Sequence, residues 1–285
     1  MIKSRKHLLG LLKVDKEKLE RILSKLDHYY YEKKEPKRDK KGNVRTDGNG
    51  NILYRVLYPS KGELKLLQAR IKHRILDKFE LPIYVQGGVK GRDNVTNALF
   101  HKGNKYFFLT DIKKFFPSIR HPQIYEMFVS NGFSPTIAGI LTKLTTYKGK
   151  LPQGTPTSTA LANLTFCIVD NKLSEFCHQH NLSFTRYVDD ITISSKKCFK
   201  PLSQDIAEII TGYGYSISKK KTAYKIGPTD ITGVSTHNNF LTTTRDFQNS
   251  LNDDISDKSL AGKFVYSKRV NVIGQKKRSQ IFLQK

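Results

Sequence analysis

An α+β fold is expected for this chain, on three observations. Long stretches carry apolar residues at helical spacing, as in Leu8, Leu9, Leu12, Leu19, Ile22 and Leu26. Between such stretches stand short runs of aromatic and β-branched residues, at 106–112 and 184–194, with the composition of strands. The second run is interrupted by two acids, Asp189 and Asp190, so it reads as a hairpin with a carboxylate pair at its tip.

A chain of 285 residues can bury a sizeable core, as one large domain or as two or three smaller ones. Lys and Arg number 50 against 25 Asp and Glu, a formal net charge of +25. That excess is far beyond what solubility needs and implies a polyanionic partner, nucleic acid before a membrane surface. No apolar run reaches the length of a transmembrane helix, and the N-terminal Met-Ile-Lys-Ser-Arg-Lys lacks the apolar core of a signal peptide. No membrane association is expected. Cys167, Cys177 and Cys198 form no disulfide pattern, which suits a reducing cytoplasm. The cluster Cys177-His178-Gln179-His180 has no partner cysteine pair and reads as a helix end rather than a zinc site.

Residues 1–35 read as amphipathic helix, with Asp15 as an N-cap. A basic run follows (Lys33, Lys34, Lys37, Arg38, Lys40, Lys41), then the turn signal Asp47-Gly48-Asn49-Gly50-Asn51 and an apolar run over 52–58. Together they suggest a hairpin bearing cations, the alternative being a solvated loop. Helical spacing resumes over 60–80, and Gly87-Gly88-Val89-Lys90-Gly91 is too irregular for a phosphate-cradling loop. The strand at 106–112 carries Asp111 near its end, where a carboxylate is costly unless it is paired or metal-bound. Helices are expected over 121–147, and a rigid loop from Leu151 to Ser158 opens a longer one. On that helix Leu161, Leu164, Ile168 and Leu173 are expected to line one face. Another helix is expected over 202–213 and a strand-turn over 230–234. Residues 240–285 are polar and basic (Lys268, Arg269, Lys276, Lys277, Arg278), with too few apolar residues for a core of their own. No internal repeat is expected.

Adjacent carboxylates repel one another unless a cation lies between them, and hard oxygen donors suit Mg²⁺. If the strand of Asp111 neighbours the hairpin of Asp189 and Asp190, three carboxylates meet. Three can hold two ions about 4 Å apart, the arrangement that serves in-line displacement at phosphorus. On so basic a chain, this points to nucleotidyl transfer.

Five stretches, in order, resemble the catalytic motifs of reverse transcriptases. Phe108-Leu109-Thr110-Asp111-Ile112-Lys113-Lys114-Phe115-Phe116-Pro117 is similar to the first, Leu151-Pro152-Gln153-Gly154-Thr155 to the second and Tyr187-Val188-Asp189-Asp190 to the third. The stretch from Ile217 to Thr222 resembles the fourth, and Ile231-Thr232-Gly233 the fifth. A weaker match reaches back through Pro59-Ser60 to Ile71. Asn97-Ala98-x-x-His101, together with Ile231-Thr232-Gly233, resembles signatures of the bacterial retron enzymes within that family. The chain departs from them at Val188, where retron enzymes more often carry Ala, and in a spacing from Arg55 to Pro59 one residue shorter than usual.

The resemblance implies a right-hand polymerase: fingers over 1–100, a palm over 101–234 with a small antiparallel sheet backed by helices, and a short basic thumb over 235–285. It implies that Asp111, Asp189, Asp190 and the backbone carbonyl of Ile112 bind two Mg²⁺ ions, with Mn²⁺ as a substitute. Phe116 would stack under the sugar and exclude a 2′-hydroxyl; Gln153 and Gly154 would position the nucleotide. Arg55, Lys65 and Lys221 would meet its phosphates, Gly233 would let the backbone approach the primer, and Asn97 and His101 would serve structure or RNA contact. The implied partners are a structured non-coding RNA as template and primer, an RNA–DNA hybrid, deoxynucleoside triphosphates and an accessory effector protein in anti-phage defence. The implied setting is the bacterial cytoplasm, and no RNase H domain is expected. The alternatives are another defence-associated or intron-type reverse transcriptase, and a catalytically idle RNA-binding scaffold.

Overall fold

The computed structural model describes residues 2–39, 42–252 and 257–275. Two compact units interleave along the chain, one formed by Met1–Leu81 with Lys114–Cys167, the other by Pro82–Lys113 with Ile168–Lys285.

The first unit is mainly helical. Helices α1 (Arg5–Leu12) and α2 (Lys16–Ser24) start where side chains satisfy their free backbone donors. Ser4 Oγ accepts from the His7 amide at 3.2 Å, and Asp15 Oδ1, the expected cap, accepts from Lys18 at 2.7 Å. The apolar stripe of these helices (Leu8, Leu12, Leu19, Ile22) is fully buried. So are Leu64 and Ile71 of α3 (Gly62–Arg74), which packs on α1 and on α7 (Pro135–Thr145). The other helices here are the short α5 (Phe115–Ser118) and α6 (His121–Ser130), which lies against α7. Gln68 is the polar exception on α3 and is fully buried. Its amide donates to Tyr30 Oη at 2.9 Å and to the Leu144 carbonyl at 2.8 Å, and it accepts from Ser60 Oγ at 2.6 Å.

The expected basic hairpin forms from β1 (Lys33–Pro36) and β2 (Tyr54–Leu57), antiparallel from Lys33↔Leu57 to Pro36↔Tyr54. The excursion between them contains a repeat. Asp39 and Asn43 are joined by the same hydrogen bonds as Asp47 and Asn51. In each, the Asp amide donates to the Asn carbonyl at 2.9 Å and the Asp carboxylate accepts the Asn amide at 2.9 Å. Gly42 and Gly50 sit at φ 89° and 82°, where a side chain would be strained. Lys40 and Lys41 lie outside the described residues.

Helix α4 (Asn94–Leu99) and the strands β3 (Tyr106–Asp111), β4 (Ser183–Tyr187), β5 (Asp190–Ser195) and β6 (Ala223–Ile226) belong to the second unit. The four strands form one antiparallel sheet in the order β4-β5-β3-β6. The long helix α8 (Ser158–Gln179) leads into β4. Its buried apolar positions are Leu161, Ala162, Phe166, Val169, Leu173 and Cys177, whereas Ile168, expected on the inner face, is 57 % exposed. A 3.6-residue period run over 22 residues places Ile168 outside the stripe that continues from Ala162 through Val169 to Leu173. Helix α9 (Ser203–Gly212) turns Ile206 and Ile210 inward.

A three-stranded sheet, β7 (Thr229–Ile231), β8 (Val234–Thr236) and β9 (Leu241–Thr243), precedes α10 (Arg245–Asn252) and α11 (Asp257–Gln275). The tail, expected to hold no core of its own, shares one. Val270 of α11 is fully buried with Val95, Ala98 and Leu99 of α4, Phe107 of β3, and Ile231, Val234 and Leu241. Gly274 allows the close approach, since a Cβ there would lie 2.6 Å from the Leu241 amide nitrogen. Lys276, Lys277 and Arg278 lie outside the described residues. Among the described residues, no helix is long and apolar enough to cross a membrane.

Replacing Gln68 with Leu strips partners from the Tyr30 hydroxyl and the Leu144 carbonyl, and each buried group left unpaired costs about 1–3 kcal/mol. The Gln68→Leu protein is expected to unfold at a lower urea concentration than wild type. An unchanged or raised midpoint would contradict the role assigned to this amide.

Candidate active site

Asp111 ends β3, and strand register carries it to the acid pair. In the β3–β5 ladder Asp111 stands opposite Asp190, and in the β4–β5 ladder Asp190 stands opposite Tyr187. Val188 and Asp189 are therefore the two turn residues between β4 and β5. The Ile112 amide donates to the Asp189 carbonyl at 2.9 Å, tying the end of the first strand to the turn. One carboxylate oxygen from each of Asp111, Asp189 and Asp190 lies within 4.8 Å of the others. Asp111 is buried and the other two are half-buried.

Lys221 completes the cluster, its ammonium paired with Asp111 Oδ2. A turn delivers it: the Ser218 amide donates to the Asp111 carbonyl at 2.8 Å, and the Lys221 amide to the Ser218 carbonyl at 2.8 Å. Thr110 and Thr222 share a hydroxyl hydrogen bond of 2.7 Å on the next pair of positions. Ile112 is buried and bridges to Ile217 beside the same turn.

The electrostatics follow from this crowding. Burial, then the negative fields of Asp189 and Asp111, push the Asp190 carboxyl up to about 6, against the pull of Lys221. Partial burial pulls the Lys221 ammonium down, but its hydrogen bond to Asp111 and the fields of the three acids more than offset this and hold it above the ordinary lysine value. Three clustered hard oxygen donors, with the Asp190 carboxyl raised by the crowding, fit a divalent cation, which relieves their repulsion.

The other residues singled out in the sequence divide between the units. Arg55 and Lys65 are exposed, Arg55 facing Glu35 across the β1–β2 ladder. Gln153 accepts from the Tyr58 amide at 2.9 Å through its carbonyl. Gly154, at φ 101°, lies where a Cβ would sit 3.4 Å from Pro59 and 3.7 Å from Leu57, so these two residues and β2 share one corner of the first unit. Phe116 is half-buried, its ring centroid 5.7 Å from that of Phe115.

Of the two roles expected for Asn97 and His101, structure or RNA contact, burial favours the first, since neither side chain reaches the surface. His101 is clamped between Ser194 Oγ and Thr185 Oγ1, both at 2.7 Å, and so staples β5 to β4. Asn97 donates to Thr232 Oγ1 at 3.1 Å, and its neighbour Asn94 donates to the Thr232 carbonyl at 3.1 Å. Gly233 is exposed at φ 87°, following Thr232 at φ 46°. Sequence reasoning missed the buried pair Arg186–Asp170, whose side chains are 0 % exposed. An arginine inside an otherwise apolar and hydroxylated strand was its only signal.

A sequence profile described as reverse transcriptase (RNA-dependent DNA polymerase) matches residues 36–274. The chain belongs to the reverse transcriptase family. It is 35 % identical over 170 residues to the Retron Ec86 reverse transcriptase of Escherichia coli, covering 59 % of this chain and 53 % of that protein. It is 33 % identical over 174 residues to the Retron Se72 reverse transcriptase of Salmonella heidelberg, covering 59 % and 46 %. The chain thus spans about half the length of the curated relatives it matches. Among solved structures, a foamy viral protease-reverse transcriptase in complex with double-stranded DNA aligns with 88 % of this chain and 40 % of its own, at 18 % identity and a TM-score of 0.47. That likeness is too slight to carry an argument.

The raised Asp190 carboxyl has a consequence for stability. In the unfolded chain an Asp titrates near 3.9, so folding disfavours its charged form, and stability present at low pH is lost as pH rises through about 6. Asp190→Asn removes that cost. In metal-free buffer the variant is expected to melt above wild type at about pH 7.5, with the gap closing toward about pH 4. A variant melting below wild type at the higher pH would contradict the assigned crowding.

Proposed function

We propose that this chain is an RNA-directed DNA polymerase that copies a structured RNA into DNA by nucleotidyl transfer, and that it works in a retron. The observation that carries this reading is the meeting of Asp111, Asp189 and Asp190, distant in sequence, within 4.8 Å of one another beside Lys221. Membership of the reverse transcriptase family and the likeness to two retron reverse transcriptases support it. A catalytically idle scaffold would have no use for three acids held together at a cost in stability.

On this reading Asp111, Asp189, Asp190 and the Ile112 carbonyl hold two Mg²⁺ ions, which when bound activate the attacking hydroxyl and stabilise the leaving pyrophosphate. Lys221 keeps its proton at neutral pH and offers it, or its charge, to the leaving phosphate. Phe116 presents a ring to the sugar and leaves no room for a 2′-hydroxyl. Gln153 and Gly154 position the nucleotide, and Arg55 and Lys65 engage its phosphates, for which cationic donors are suited. Gly233, exposed and without a Cβ, lets a primer strand approach the backbone. Residues 1–100 serve as fingers, 101–234 as palm and 235–285 as a short thumb. The +25 charge grips A-form and hybrid duplexes through phosphates and 2′-hydroxyls rather than base edges. The natural template and primer are a structured non-coding RNA, in the bacterial cytoplasm, with an accessory effector in anti-phage defence.

Two variants test the chemistry. Asp189→Asn is expected to abolish primer extension on an RNA template with Mg²⁺ and deoxynucleotides, while RNA binding and the thermal midpoint stay close to wild type. Extension at the wild-type rate would refute the acid assignment. Phe116→Ala is expected to raise ribonucleotide incorporation relative to deoxynucleotides by about tenfold or more in competition assays. An unchanged ratio would remove Phe116 from the sugar site.

A further inference from the structure

The turn that carries Asp189 is strained and is held by a device outside the acid cluster. Val188 sits at φ 59°. For a β-branched residue this is a genuine outlier, which persists only where its surroundings enforce it. Three contacts do so. Gly87 lies so close that a Cβ on it would fall 2.3 Å from the Val188 nitrogen, so the turn is walled in on that side. The Asp189 carbonyl accepts the Ile112 amide. The Val188 carbonyl accepts Arg186 Nη1 at 2.8 Å.

Arg186 is the unusual member. It lies in β4, opposite Ile191, with its side chain wholly buried. Its Nε and Nη2 meet Asp170 Oδ1 and Oδ2 at 2.8 and 2.6 Å in a two-pronged pair, leaving Nη1 for the turn. Its backbone is fixed too: the amide donates to the Tyr84 carbonyl at 2.8 Å and the carbonyl accepts from Gln86 at 2.8 Å. Burying a guanidinium and a carboxylate is expensive, and a well-packed apolar pair of similar volume is often as stable or more so. Stability therefore does not explain the pair. Its geometry does: only a planar cation fixed on one side by a carboxylate can offer a further N–H in a set direction.

We propose that Arg186, with Asp170 as its counter-ion, is a positioning residue: by holding the Val188 carbonyl it fixes the turn and so aims the carboxylates of Asp189 and Asp190 at the cation site. This rests on the polymerase reading for its kinetic arm, but its cation-binding arm stands apart from that reading.

The test is the double substitution Arg186→Met with Asp170→Leu, in the full chain, which removes the turn contact without stranding a buried charge. Circular dichroism melting reports folding. Calorimetric titration with Mn²⁺, in the absence of nucleotide, reports the cation site, and primer extension gives kcat and the KM for deoxynucleotide. The folded double variant is expected to bind Mn²⁺ about tenfold or more weakly and to lose kcat by a similar factor, with KM little changed. A folded double variant that keeps both within about twofold of wild type would overturn the proposal. Should that variant fail to fold, Arg186→Lys decides by the same two readouts. A lysine keeps the charge opposite Asp170 but cannot serve both carboxylate oxygens and the Val188 carbonyl, so weakened Mn²⁺ binding is expected, and wild-type values would overturn the proposal. A wild-type chain that binds Mn²⁺ yet extends no primer would sink the polymerase reading and leave the titration arm standing.

Discussion

Three carboxylates whose oxygens lie within 4.8 Å of one another repel, and much of the second unit holds them there. The β3–β5 register sets Asp111 opposite Asp190, so the strands cannot pair without bringing the charges together. A slip of one residue would turn one of them to the other face of the sheet. The amide of Ile112 fixes the third acid through its own carbonyl, and Lys221 supplies a nearby positive charge. Asp190 shows what remains unrelieved in its raised pKa. A divalent cation is the natural complement to that arrangement, and one bound there would stabilise the fold by binding the folded state alone.

Helix α4 connects this turn to the C-terminal part of the unit. Its His101 end staples β4 to β5 below the acids. Its N-terminal end reaches the segment around Thr232 through Asn94 and Asn97, and reaches α11 through Asn94 to Tyr266 Oη at 2.6 Å and through Asp93 to Arg269. Asp93 also caps the helix by accepting the amides of Val95 and Thr96. The two retron-like signatures, one before the first acid and one near Gly233, are thus in direct contact. Their co-occurrence has a mechanical reason that neither stretch reveals alone.

The strands bearing the acids were legible because an apolar aromatic run and a β-branched run, each ending or broken by Asp, have few other readings. The helices within 60–80, 121–147 and 202–213 were legible from their period, and Asp15 from its place before an apolar stripe; the helix expected over 1–35 instead stops short of β1, whose residues from Lys33 take their shape from pairing with β2. Strand β6 was not, since Ala223–Ile226 is short and half-polar and takes its shape from pairing with β3. The first of the two Asp–Asn pairs escaped because Asp39-Lys40-Lys41-Gly42-Asn43 reads as a charge run, and only hydrogen bonding shows it equivalent to the second. The burial of Asn97 and His101 is not written in their residue types, since polar side chains are usually exposed; hydroxyl partners from distant strands or loops hold both inside. Arg186 and Asp170 were missed for a like reason: beyond the oddity of an arginine in such a strand, neither stands out until the fold buries it against the other.

The claim beneath all of this is that residues 111, 189 and 190 are one cation site. Anomalous diffraction from crystals of the chain with Mn²⁺, a primer–template and a non-reactive deoxynucleotide analogue tests it most directly. Two manganese peaks are predicted among the carboxylates of Asp111, Asp189 and Asp190. Ordered nucleotide with no manganese at those carboxylates, or manganese bound only elsewhere, would contradict the account.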